Sequence, residues 1–162
     1  MSSRGATRMV SMQNHYNLLY REEEREMIPL CVDEGVGILP WSPLARGYLT
    51  RRPQQKEATS RGEDDYAKQL YNRPGSDEIT DAVCYLAEAR SVKPAQIALA
   101  WLLSKPYVSA PIVGATKLSH LEDAVGALEL SLTDEDRQAR SRLHPAAGAG
   151  ASLGASTPSS KR

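Results

Sequence analysis

Three short apolar runs punctuate the chain, and helical periodicity fills much of the space between them. Residues 8–13 (RMVSMQ) alternate and predict a strand. Residues 36–40 (VGILP) are apolar almost throughout, as expected of a parallel strand buried on both faces. Residues 108–113 (VSAPIV) predict a third strand. Between the first two, residues 14–20 read as a polar and aromatic loop, and residues 21–34 as a helix with a Glu-rich start that suits the positive end of a helix dipole. Its ordered part is expected to begin near Pro29, because proline fits only a first turn. Gly35 is placed to close it as a left-handed C′ residue. After the second run comes a turn-like segment, 41–50 (WSPLARGYLT), and then residues 51–75, polar and weakly periodic, which predict a long excursion loop of the kind that is usually functional or mobile.

The second half is predominantly helical. Ser76 predicts an N-cap, with Asp77 and Glu78 in the first turn and Ile79, Val83 and Leu86 on one face. Pro94 predicts the first residue of the next helix, with Ile97, Ala98, Trp101 and Leu102 on its buried side. Ser119 and Glu122 have capping-box spacing ahead of an apolar stripe of Leu121, Val125 and Leu128. Thr133, followed by three acidic residues, predicts a last helix that ends near Leu143. Residues 144–162 are rich in Ala, Gly and Ser, and residues 146–162 hold no aromatic or acidic residue. This tail is expected to be disordered.

Strands alternating with helices signal an α/β fold with a parallel sheet. Three strands cannot close a barrel, and the outer two have open edges. The pattern therefore predicts about three parallel strands with flanking helices, with residues 1–8 a lead-in, 9–143 the folded part and 144–162 the tail.

Composition narrows the function classes. At 41% hydrophobic, the chain can build a packed core. Twenty basic and 20 acidic residues give no net charge, which argues against a nucleic-acid binder but leaves room for a local anion site. No apolar run is long enough for a membrane span, and residues 1–8 lack the apolar core of a secretory signal, so a cytoplasmic location is expected. Cys31 and Cys84 have no second Cys or His at ligand spacing; they read as reduced, packed thiols rather than a zinc site.

Four segments carry a resemblance. They are 11–19 (SMQNHYNLL) with Glu24, 40–47 (PWSPLARG) with Leu49, 95–103 (AQIALAWLL), and 111–117 (PIVGATK) with His120, Leu121 and Asp123. In this order and spacing they resemble the aldo-keto reductase family of NADP-dependent oxidoreductases, over about residues 9–142. The resemblance implies that residues 9–143 are a partial (β/α)8 TIM barrel, strands six to eight of the family's barrel, each followed by a cofactor-binding loop. It implies that Gln13 bonds the nicotinamide carboxamide and that Trp41 stacks on the nicotinamide ring. It places Ser42, Pro43, Leu44 and Gly47 around the pyrophosphate. Gly114, Thr116, Lys117, His120 and Asp123 would hold the adenosine 2′-phosphate and adenine.

Elementary chemistry agrees with these roles. An amide donates and accepts, as a carboxamide requires. An indole presents a flat face, and glycines let backbone N–H groups approach phosphate oxygens. A helix N-terminus with a lysine beside it suits an anion. Each residue also has a plainer reading: Trp41 as a core aromatic, Lys117 as a solvated lysine, Gln13 as a loop cap, His120 as a surface histidine. Trp101 and Cys84 are assigned to packing.

The family reduces carbonyls with an Asp/Tyr/Lys/His tetrad, in which the tyrosine gives a proton as the cofactor gives hydride. The resemblance puts all four positions upstream of Met1, so no catalytic residue is assigned. His15 and Tyr16 are set aside as substitutes because they match the family's own loop after strand six. The expected function is that of an NADP(H)-dependent aldo-keto reductase, truncated and inactive alone. The alternative is a non-catalytic half-barrel that binds NADP(H) or a partner protein. The expected partners are the nicotinamide cofactor, and a second copy or another protein through the open barrel edges; no nucleic acid and no membrane are expected.

Overall fold

The computed structural model describes residues 7–53, 65–133 and 136. Two regular strands, β1 (Ser11–Met12) and β2 (Gly37–Ile38), pair in parallel, Ser11 against Gly37 and Met12 against Ile38. The pairing runs beyond both. Gly37 donates to the Val10 carbonyl and Leu39 to that of Met12, and Trp41 donates to that of Asn14, each at 2.9 Å. The third apolar run does not form a strand. It joins by one parallel bridge, Ile38 to Val108, with Ser109 and Ile112 donating to the Ile38 and Pro40 carbonyls at 2.8 Å. Pro111 has no N–H to offer a ladder. The position and direction expected of three parallel strands are therefore kept, while the regular sheet has two.

Helix α1 (Met27–Glu34) starts two residues before Pro29, which occupies its first turn, and an Arg21-proximal turn of 3-10 helix (Glu22–Glu24) precedes it. Gly35 ends α1 at φ 65°, the left-handed geometry only glycine adopts at no steric cost. The region expected to be an excursion loop contains a helix, α2 (Asp65–Tyr71), with Ala67 and Tyr71 fully buried. Two apolar positions one turn apart anchor it. That is too few for a periodic signal in a polar segment.

Helix α3 (Ser76–Ala89) packs on α4 (Pro94–Leu103). Ser76 is a buried first-turn residue of α3, and the cap position belongs to Gly75 at φ 87°. Pro94 opens α4, where the Gln96 side chain accepts from the Lys93 amide at 3.0 Å. Six consecutive residues of α4, Ile97 to Leu102, are buried, so the helix is covered on every side. It is the centre of the core, joined by Tyr16, Ile38, Leu49, Tyr71, Ile79 and Val83.

Helix α5 (Leu118–Gly126) begins one residue before Ser119, with Lys117 at the cap position and no side-chain cap bond, so the capping box does not form. Its apolar stripe faces outward: Leu118, Leu121, Val125 and Leu128 are each more than half exposed. Thr133 does cap. Its amide donates to Asp136 Oδ2 at 2.8 Å, and the Asp136 amide donates to Thr133 Oγ1 at 3.2 Å. The body of that last helix and the Ala/Gly/Ser tail lie outside the described residues. Cys31 and Cys84 are buried free thiols, and burial pushes the Cys84 thiol up. Among the described residues no helix is long and apolar enough to cross a membrane.

Candidate functional site

The chain leaves β2 into a left-handed loop. Ser42, Ala45 and Arg46 have φ of 54°, 48° and 53°, and Gly47 follows at 100°. Such geometry costs non-glycine residues on the order of 1 kcal/mol each, so the surroundings must hold it. Two short 3-10 turns over Ala45–Thr50 meet at this kink and bury Ala45, Tyr48 and Leu49 beneath it.

Above the loop lies a cavity of about 730 Å³, within the range of small-molecule sites. Three parts of the chain wall it: the loop after β2, the start of α4, and residues 112–124. Nine of the eleven residues expected from the sequence line it, namely Trp41, Ser42, Pro43, Leu44, Gly47, Gly114, Lys117, His120 and Asp123. Gln13 and Thr116 are exposed and are not among its walls.

The structure adds wall residues that motif reading missed: Arg46, Thr50, Arg51, Lys93 and Pro94. Among the described residues the lining thus carries four Arg or Lys side chains and one carboxylate. Lys93 is paired with that carboxylate, its ammonium 2.8 Å from both oxygens of Asp123, which joins the start of α4 to α5 across the cavity wall. The first turns of α4 and α5 both contribute, so two positive helix ends face the same space. The start of α4 was legible, since Pro94 announces it; that it converges on the start of α5 was not.

Behind Trp41 lies a stack of rings. The His15 imidazole packs on the indole (centroids 4.1 Å apart, planes 11° apart) and on Tyr20 from its other side (4.0 Å, 16°). His15 is buried, and its Nε2 lies 2.6 Å from the Tyr71 hydroxyl. Burial first, and the nearby Arg73 charge second, lower its pKa to about 4, so the ring is neutral at pH 7. Tyr16 sits deeper. Its hydroxyl donates to Glu24 at 2.6 Å, and burial holds its proton well above the usual phenol range. Burial alone would raise the Glu24 carboxyl, but hydrogen bonds from Arg21 and Tyr16 outweigh it and hold that group below the usual carboxylate range.

A pH dependence follows. The unfolded chain takes up a proton on His15 near pH 6.5, while the fold resists until about pH 4. Stability is therefore lost as pH falls through this window, by up to about 3 kcal/mol. The Glu24 contribution is lost only at lower pH, below the usual carboxylate range. Thermal melts between pH 7 and 4 are expected to show a falling midpoint that flattens in His15→Phe, which keeps the stack and cannot titrate. Equal slopes in the two proteins would remove His15 as the cause.

Comparison with known proteins names the fold's lineage. The sequence profile of the aldo/keto reductase family matches residues 1–143. The chain belongs to the aldo-keto reductase family. It is 49% identical over 133 residues to the Schizosaccharomyces pombe protein named "Putative aryl-alcohol dehydrogenase", covering 82% of this chain and 37% of that one. It is 41% identical over 144 residues to an aldo-keto reductase of Fusarium vanettenii (88% and 38%). It is 42% identical over 138 residues to the versiconal hemiacetal acetate reductase of Aspergillus parasiticus (83% and 40%). The chain thus spans about two fifths of the length of these curated relatives. The aldo-keto reductase fold is an α/β TIM barrel, and the two-stranded parallel sheet with its helices is a portion of that architecture.

Proposed function

We propose that the cavity holds NADP(H) and that the chain is the cofactor-binding, strand-six-to-eight portion of an aldo-keto reductase barrel. One observation carries this reading: four cationic side chains and two helix N-termini converge on one ligand-sized cavity whose floor is the strained loop after β2. A dinucleotide with a 2′-phosphate has the negative charge such a cavity suits. Trp41 offers the indole face for the nicotinamide. Pro43, Leu44 and Gly47 present the loop to the pyrophosphate, with Arg46 and Arg51 beside it. Lys117, His120 and Gly114 lie at the adenosine end. There the Lys93–Asp123 pair neutralises the one carboxylate that would repel the phosphate. Gln13 and Thr116 stand outside these walls and would need neighbouring structure to bring them to the cofactor.

When bound, NADPH supplies the hydride for reduction of a carbonyl to an alcohol. The residues of this chain bind and orient it. Among the described residues the cavity walls include no tyrosine; in this reading the proton for the new alcohol comes from the family's Asp/Tyr/Lys/His tetrad. The relatives' names, with their aryl-alcohol and hemiacetal substrates, suggest a carbonyl or alcohol of this broad class. The exposed stripe of α5 and the open edges of the sheet are covered, in this reading, by further barrel segments or by a second chain.

Titration of the protein with NADPH, followed by tryptophan fluorescence, tests the binding half of this reading. Saturable quenching is expected at micromolar to millimolar cofactor, because Trp41 lines the cavity. A protein that melts cooperatively yet shows no quenching up to millimolar NADPH would leave the motifs as inherited sequence without a working site.

A further inference from the structure

The Tyr71 hydroxyl is buried where three separate parts of the chain meet. It lies 2.6 Å from His15 Nε2, 3.2 Å from Ser42 Oγ and 3.3 Å from Asn17 Nδ2. None of these partners is near it in sequence, and Tyr71 itself comes from α2, in a segment the resemblance assigned no role.

The protons in this cluster can be placed. The amides of Leu19 and Tyr20 can only donate, and both donate to Asn17 Oδ1, at 2.9 and 3.0 Å. That fixes the orientation of the Asn17 amide. Its Nδ2 therefore faces the others as a donor: to the Ser42 carbonyl at 2.9 Å, to Tyr71 and, at 3.4 Å, toward His15 Nε2. The 2.6 Å separation between Tyr71 and Nε2 is shorter than an N–H donor gives and suits a hydroxyl donor, so Nε2 is the bare nitrogen and His15 carries its proton on Nδ1. Tyr71 then donates to Nε2, and the Ser42 hydroxyl donates to Tyr71. One phenol oxygen thus joins His15, Ser42 and Asn17 in a single hydrogen-bonded cluster.

Two features of the candidate site hang on this chain. Ser42 is the first left-handed residue of the loop, held by its side chain through Tyr71 and by its carbonyl through Asn17. His15 is the ring on which Trp41 stacks. The excursion helix grips the loop a second time, with the Arg46 guanidinium 5.8 Å above the Tyr66 ring.

We propose that Tyr71 is a positioning residue for the candidate cofactor loop: its hydroxyl fixes Ser42 and the His15 ring, and through them the left-handed loop and the plane of Trp41. Ser42 then serves through its place in the backbone, since its hydroxyl proton points inward. The consequence for cofactor affinity rests on the reading that the cavity binds NADP(H); the consequence for the loop does not.

Tyr71→Phe keeps the buried ring and removes only the oxygen. Hydrogen exchange is expected to show the Ala45, Gly47 and Leu49 amides exchanging about tenfold faster in this variant, with α4 unchanged. NADPH affinity is expected to fall about tenfold. Ser42→Ala should match it, and the double variant should be no weaker than either single, because both remove the same bond. In the unaltered protein, nitrogen NMR is expected to show His15 as the neutral Nδ1–H form at pH 7, a readout that does not depend on the variant folding. An Nε2–H or charged ring would overturn the proton assignment and the proposal with it. Unchanged loop exchange in a folded Tyr71→Phe would also overturn it. Faster loop exchange in a protein that binds no NADPH would uphold the positioning role and sink the cofactor reading instead.

Discussion

Replacing Trp41 with alanine is expected to weaken NADPH binding about 100-fold while leaving the fold in place. The indole lines the cavity and is only partly buried, so its loss opens no hole in the core. Its stacking face supplies the binding energy. Covering roughly 100 Å² of apolar surface contributes about 2.5 kcal/mol, and aromatic stacking adds about 0.5–1.5 kcal/mol. Together these correspond to a factor of about 100 or more in affinity. Calorimetric titration is the right measurement, since the variant lacks the fluorescent reporter. An affinity within threefold of the unaltered protein would mean that the His15–Trp41–Tyr20 stack is packing and that the nicotinamide does not rest on it.

Trp101→Ala is expected to have the largest effect on stability. Trp101 is 1% exposed in the last turn of α4, the helix buried on every side. Its ring meets Tyr16 at 5.4 Å, and the Lys105 ammonium sits 4.5 Å above it. Truncating a buried tryptophan costs about 3–5 kcal/mol, a large part of the roughly 5–15 kcal/mol that holds a domain folded. The thermal midpoint, followed by circular dichroism, should fall by roughly 10 °C or more, or the cooperative transition should vanish. A shift of under ~3 °C would move the core's centre away from α4. Read together, the two tryptophans separate the roles assigned to them, one holding the fold and the other facing the cavity.

Much of the architecture could be read from local signals. Pro94 set the start of α4 and Gly35 the end of α1, because proline fixes its own φ and lacks an N–H, while glycine alone enters the left-handed region at no steric cost. The parallel direction of the pairing followed from the helices between the apolar runs. Where reading failed, the missing information was spatial. Helix α2 hangs on two residues, Ala67 and Tyr71, and it packs on the Ala45–Thr50 turns, a part of the chain not adjacent to it in sequence. The stripe of α5 was legible as apolar, but its exposure depends on what stands opposite it. The run at 108–113 had strand-like composition, yet Pro111 and its edge position left it one bridge instead of a ladder.

The candidate site divides the same way. Sequence by itself determined the family and the three motifs; two of these, at 40–47 and 111–123, named nine residues that line one cavity, because one follows the end of β2 and the other follows a run bridged in parallel beside it, while Gln13 of the remaining motif stands outside. Only the tertiary structure decided which cations join them. Arg46 lines the wall from the left-handed loop after β2, and Lys93 reaches Asp123 because α4 and α5 pack side by side. Tertiary structure alone also put the Tyr71 hydroxyl among His15, Asn17 and Ser42. A hydrogen bond needs an atom within about 3 Å in the right direction. Nothing in the order of residues records that distance until the chain has closed on itself.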